Sequence, residues 1–201
     1  MTTVRAGVVL IALLGLWGCG GSSNTTGTSG TTALPPASDA AIIEEQPAQT
    51  DSPYSGGEVS PVVASPQLGL RRWDGKQVRI GDYAGKVTLV TFLYTSCPDI
   101  CPAIADRLVQ VKRRLGKDGD RLALVVISVD PERDSPGAVR DFLRSHQALS
   151  KIDYLIGSRD ELERTWSRWG VAARTSPDNP DLIDHSGLIW GVDPRGSRVT
   201  F

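Results

Sequence analysis

The 201-residue chain is poor in side chains that bind metals or exchange electrons: three cysteines, two histidines and one methionine. Any site that needs soft donors must therefore be built from those few positions. A long hydrophobic run is also lacking. The N-terminal one, residues 6–17, is too short to cross a bilayer as a helix, which excludes a membrane span there. No stripe of interleaved basic and aromatic residues is present, so no nucleic-acid partner is expected. No internal repeat is present, which excludes a solenoid. Residues 20–66 contain no Lys or Arg and few large apolar groups, so that segment cannot offset its ordering entropy with a core of its own.

What is present divides the chain in three. Arg5 is the only charge before the apolar run, the pattern of an export signal over residues 1–18. The run ends at Leu16-Trp17-Gly18-Cys19, a lipoprotein-type box, and no A-x-A cleavage site accompanies it. Cys19 is thus the expected lipidated residue, anchoring an exported protein to the bacterial cell envelope with its domain in the periplasm or on the extracytoplasmic face. Residues 19–66, rich in Gly, Ser, Thr and Pro, read as a disordered tether. Its acids, Asp39, Glu44, Glu45, Asp51 and Glu58, give it a net charge of −5. A flexible coil of roughly 45 residues spans on the order of 35–40 Å. Residues 67–201 carry 21 basic and 18 acidic side chains, a mild surplus that suits a solvated surface.

The third part patterns as an α/β domain. Asp74-Gly75 between two short apolar runs predicts an N-terminal hairpin. Residues 86–94 and 122–129 are nearly continuous in Val, Leu, Ile, Phe and Thr, as strands buried on both faces are. Between them, Ile100, Ile104, Leu108, Val111 and Leu115 recur at helical spacing, giving a βαβ unit closed by Gly116. Ser135-Pro136 opens a second helix reaching about His146, and Ser158 caps a third over residues 158–169. Residues 152–156, 188–192 and 197–201 read as strands, with a turn at Asp193-Pro194-Arg195-Gly196. Residues 171–184, with Pro177 and Pro180, read as a polar loop.

If Cys19 carries lipid, Cys97 and Cys101 are left as an even pair in an exported protein, to be oxidised or held by a metal. They flank Pro98-Asp99-Ile100 where a strand gives way to a helix, and a helix N-terminus favours the thiolate. Four residues apart on one helix face, their sulfurs can converge. His185, in Asp184-His185-Ser186 just before a strand, supplies an imidazole. Two thiolates and an imidazole suit Cu(I) better than a hard cation. The same thiols can close a Cys97–Cys101 disulfide, so the site is a metal clip, a redox pair, or both. His146 sits at a helix C-terminus, where its charge complements the helix dipole.

Three stretches together resemble the Sco/SenC family: Thr95-Ser96-Cys97-Pro98-Asp99-Ile100-Cys101-Pro102, Ser128-Val129-Asp130-Pro131-Glu132-Arg133-Asp134-Ser135-Pro136, and Asp184-His185-Ser186. The resemblance covers about residues 67–201. It implies a thioredoxin-like fold, a central mixed sheet flanked by helices. It also implies copper bound by Cys97, Cys101 and His185, with Asp130 close behind them. The partner it implies is the copper-accepting subunit of cytochrome c oxidase, whose binuclear centre such proteins supply. A thiol–disulfide oxidoreductase that reduces the cysteines of that centre is the rival. Peroxiredoxins share the scaffold but have Thr where Tyr94 stands here. The family adds a C-terminal helix after its last hairpin; this sequence stops at Phe201, so the fold is expected without it.

Overall fold

The computed structural model describes residues 56–201. The expected signal, Cys19 and the tether as far as residue 55 lie outside the described residues. Among the described residues, no helix is long and apolar enough to cross a membrane.

The sequence of apolar runs builds one mixed sheet. Strands β1 (Glu58–Ala64), β2 (Leu70–Arg72), β3 (Gln77–Val78), β4 (Val87–Leu93), β5 (Leu122–Ser128) and β6 (Ile152–Ile156) belong to it. Strand β7 (Ala173–Thr175) and β8 (Ile183–His185) form a separate antiparallel pair; β9 (Ile189–Val192) and β10 (Ser197–Thr200) return to the sheet. The order across it is β1-β10-β9-β4-β5-β6-β2-β3, with β4, β5 and β6 parallel and their neighbours antiparallel. Strand β5 is buried along its whole length, as its unbroken apolar run requires. Helices α1 (Ile100–Arg114), α2 (Pro136–Ser145) and α3 (Arg159–Trp169) flank the sheet. Trp169 of α3 is fully buried and meets Phe92 of β4 edge-on, ring centroids 6.4 Å apart. That contact fixes the helix against the strand which leads into the cysteines.

The helix ends follow their sequence signals. Ser135 accepts the Ala138 N–H at 3.2 Å, with Pro136 in the first turn of α2. Ser158 and Glu161 form a reciprocal capping box, and Gly170 closes α3 at φ 70°, a left-handed position that glycine adopts without strain.

Two expectations are corrected. The tether does not run to residue 66: Glu58–Ala64 is a strand paired to β10, bracketed by bonds between Gly57 and Phe201 and by Ser65 N–H to Gly196 O at 2.9 Å. An edge strand is held by backbone hydrogen bonds and needs no apolar face, so its exposed side chains, Pro61 among them, gave no periodic signal. The polar loop 171–184 is the β7–β8 hairpin, in which Ala173 faces His185 and Thr175 faces Ile183. Strands this short carry no pattern distinguishable from loop.

Candidate functional site

Strand β4 ends at Leu93, and the chain turns through Tyr94-Thr95-Ser96-Cys97 before α1 begins at Ile100. Cys97 is therefore not on the helix. Asp99 occupies the N-cap without a side-chain capping bond, and the Cys97 sulfur stands in, accepting the Cys101 N–H at 3.5 Å. The sulfurs come together because Cys97 caps the turn that carries Cys101, a different cause from two residues sharing a helix face. Both cysteines are buried free thiols.

The two thiols differ in acidity. Burial works to raise Cys97. Hydrogen bonding from the Cys101 side chain, from the N–H groups of Asp99 and Cys101, and from Tyr94 outweighs it, so the thiol falls below its ordinary value. Cys101 is pushed well up, first by burial and then by its hydrogen bond to Cys97. Of the pair, Cys97 is the ready thiolate.

The turn before Cys97 hangs on a carboxylate that sequence reasoning missed. Asp134, 3 % exposed, accepts Thr95 N–H at 2.8 Å, Thr95 Oγ1–H at 2.6 Å, Ser128 Oγ–H at 2.6 Å and Tyr154 O–H at 2.9 Å. Burial nevertheless holds its carboxyl above the usual range. Asp130, the acid expected near the cysteines, pairs with Arg133 and accepts the Arg133 N–H at 3.3 Å, which closes its own turn. Its contact with the cysteine loop is the Ser96 hydroxyl at 3.4 Å. Both acids lie in Asp130-Pro131-Glu132-Arg133-Asp134, and nothing in that string says which one turns inward.

His185 ends β8, with its imidazole edge-on to Tyr94, centroids 6.0 Å apart and planes at 84°. Its Nδ1 lies 3.1 Å from the Ser186 carbonyl. A carbonyl only accepts, so Nδ1 carries the proton and Nε2 keeps its lone pair. Burial lowers the His185 pKa despite opposing contributions from Ser186 and Asp184, which keeps the ring neutral. It lines a cleft of about 720 Å³ with Trp166, Val171, Arg174 and Asp184. Cys97 and Cys101 are thus together, while the His185 contact on this side of the site is with the Tyr94 ring. Among the described residues no group of three or more His, Cys, Asp or Glu side chains is close enough to hold a metal. By donor type the set still fits a soft monovalent ion, as two sulfurs and a neutral imidazole nitrogen should. His146 caps α2 and lies 2.9 Å from Asp106 of α1, joining two helices.

A four-stranded core of β9, β4, β5 and β6 with helices on it, and a cysteine pair at the start of the helix after β4, define a thioredoxin-like protein. The particular kind follows from comparison: the SCO1/SenC family profile matches residues 65–201, and the chain belongs to that family. It is 30% identical over 116 residues to an SCO2-like protein of Rickettsia prowazekii, covering 56% of each chain. Against an SCO1 protein homolog of Bacillus subtilis it is 28% identical over 125 residues, 61% of this chain and 65% of the relative. The chain thus spans about half to two thirds of the length of these relatives. The solved structure of Bradyrhizobium japonicum ScoI with copper bound is similar at TM-score 0.63 and 34% identity, covering 69% of this chain and 88% of that one.

Proposed function

We propose that this protein is a membrane-tethered copper chaperone. It holds Cu(I) through Cys97, Cys101 and His185 and hands it to the copper-accepting subunit of cytochrome c oxidase. Lipid on Cys19 keeps it at the extracytoplasmic face. The observation that carries the reading is the cysteine pair at the start of α1, one thiol tuned toward the thiolate by hydrogen bonds from the Cys101 side chain and from the Asp99 and Cys101 N–H groups. Copper in the Bradyrhizobium relative supports the cargo, and the family resemblance supports the recipient. With no three His, Cys, Asp or Glu side chains close enough to hold an ion among the described residues, a three-donor site requires the imidazole to shift relative to the sulfurs. A low coordination number then lets an incoming cysteine displace the donors one at a time.

The test is Cu(I) titration of the reduced chain against a chromophoric competitor. Cys97→Ser and Cys101→Ser should each abolish tight binding. His185→Ala should weaken it by about tenfold or more, equivalent to roughly 1.4 kcal/mol. Equal affinity in His185→Ala would replace the three-donor site with a two-thiolate clip.

The unequal thiols favour a second reading, reduction of the recipient's disulfide. The Cys97 thiolate attacks one target sulfur, forming a mixed disulfide and releasing one target thiolate. Cys101 then loses its proton and attacks Cys97 Sγ, releasing the second target thiolate and leaving a Cys97–Cys101 disulfide. Two electrons pass from the cysteine pair to the target, whose thiolates take up the protons. Two free thiols persisting in the oxidised, copper-free protein would rule this reading out.

A further inference from the structure

Tyr94 is 4 % exposed and touches both halves of the site. Its carbonyl accepts the Cys97 N–H at 3.4 Å, and its hydroxyl accepts the Ile183 N–H at 3.3 Å. Its ring carries the His185 imidazole edge-on. Ile183 and His185 are the first and last residues of β8. The β7–β8 pair is a sheet of its own, outside the eight-stranded ladder. Its placement against the cysteine loop therefore rests on individual contacts. Besides Tyr94, Arg133 donates to Asp181 O at 2.8 Å and Thr91 Oγ1 donates to Leu188 O at 3.0 Å, each near one end of the segment. The Tyr94 hydroxyl acts within β8 itself, two residues from the imidazole.

We propose that Tyr94 is a positioning residue: its hydroxyl latches the β7–β8 hairpin to the turn before Cys97 and so sets where His185 stands relative to the cysteine sulfurs. Phenylalanine at this position would keep the ring that packs on the imidazole and lose the hydroxyl, which is both the acceptor for the Ile183 N–H and a hydrogen-bond partner of Cys97. That amide would then be left without its partner in a half-buried place, and the hairpin would open more often. The latch stands on these contacts alone; its effect on copper rests on the proposed function, in which His185 is the third donor.

The test uses the full reduced, metal-free chain and Tyr94→Phe, compared by amide hydrogen exchange. The Ile183 amide should exchange about tenfold faster in the variant, with Val90 and Val125 in the core strands unchanged. A change at Ile183 of less than about twofold would overturn the latch. So would an equal acceleration in β4 and β5, which would mean general loosening. Copper titration gives the second arm. Tyr94→Phe should lower Cu(I) affinity several-fold in the parent and by clearly less in a His185→Ala background, where only the lost bond to Cys97 still acts. An equal loss in both backgrounds would overturn the positioning role. Should His185→Ala alone leave Cu(I) affinity unchanged, the three-donor reading falls, and the exchange result still decides the latch.

Discussion

Asp134 concentrates more of the site's order than either cysteine. One buried carboxylate gathers the turn before Cys97, the end of β5 and the Tyr154 hydroxyl of β6. Removing it leaves the Thr95 and Ser128 donors unpaired in a dry place, with the Tyr154 hydroxyl keeping Leu93 O as acceptor at 3.1 Å, so Asp134→Ala should cost about 3 kcal/mol, measured from denaturant midpoints. A loss under about 1 kcal/mol would mean water replaces the carboxylate. The pH dependence has a definite sign. Burial raises the folded-state carboxyl above its ordinary value, so the folded state holds that proton more tightly than the unfolded one. The resulting stability is present in full below the ordinary carboxylate value of about 3.9 and is lost as pH rises through the raised one. Relative to the non-titrating Asp134→Asn, the parent should lose stability with rising pH across that window and stay level above it. A parent that gains stability over the same window would show that the hydrogen bonds outweigh burial. None of this was legible in the sequence. Resemblance drew attention to Asp130, but which acid turns inward is decided by a loop path that has no period. Tyr94 was equally silent, since a tyrosine after an apolar strand reads as core until its hydroxyl finds an amide outside the sheet.

At the scale of elements, legibility followed burial. Strands β4 and β5 lie within a residue of their predicted bounds, because a strand covered on both faces must be nearly continuously apolar, and β6 has its predicted bounds although Asp153 interrupts its apolar residues. The helices were legible at their starts, where Ser135 and Ser158 cap α2 and α3. Strands β1, β7 and β8 were not, because each is short or exposed and held by backbone pairing. The helix-face argument for the cysteines reached the right juxtaposition by the wrong route, since Cys97 lies before the helix it helps to cap. The capping box of α3 can be tested alone. In Ser158→Ala the hydroxyl that accepts the Glu161 N–H is lost, while Glu161 Oε2 still takes the residue-158 N–H, now at 2.8 Å. The cost should be about 1 kcal/mol in chemical denaturation, with Cu(I) affinity unchanged. A copper defect in that variant would mean α3 reaches the site through its cleft with His185.

For the whole molecule, the divided composition carries the last prediction. A domain with a mild positive surplus follows a segment that has four acids and no base among residues 20–57, and that segment follows a short apolar run ending in Gly18-Cys19. The division suits a donor held at a membrane surface and free to search along it. A single acyl chain binds a bilayer only marginally, and stable anchoring takes two or more, which lipoprotein processing at Cys19 would supply. Cys19→Ser in the full chain, expressed with residues 1–18, should therefore leave Cu(I) affinity unchanged and move the protein out of the membrane fraction, or stall it as an unprocessed precursor. Intact mass of the membrane-bound parent reads the anchor directly. A mature N-terminus at a modified Cys19 is the expected result, and one at any other residue would exclude a lipid anchor there.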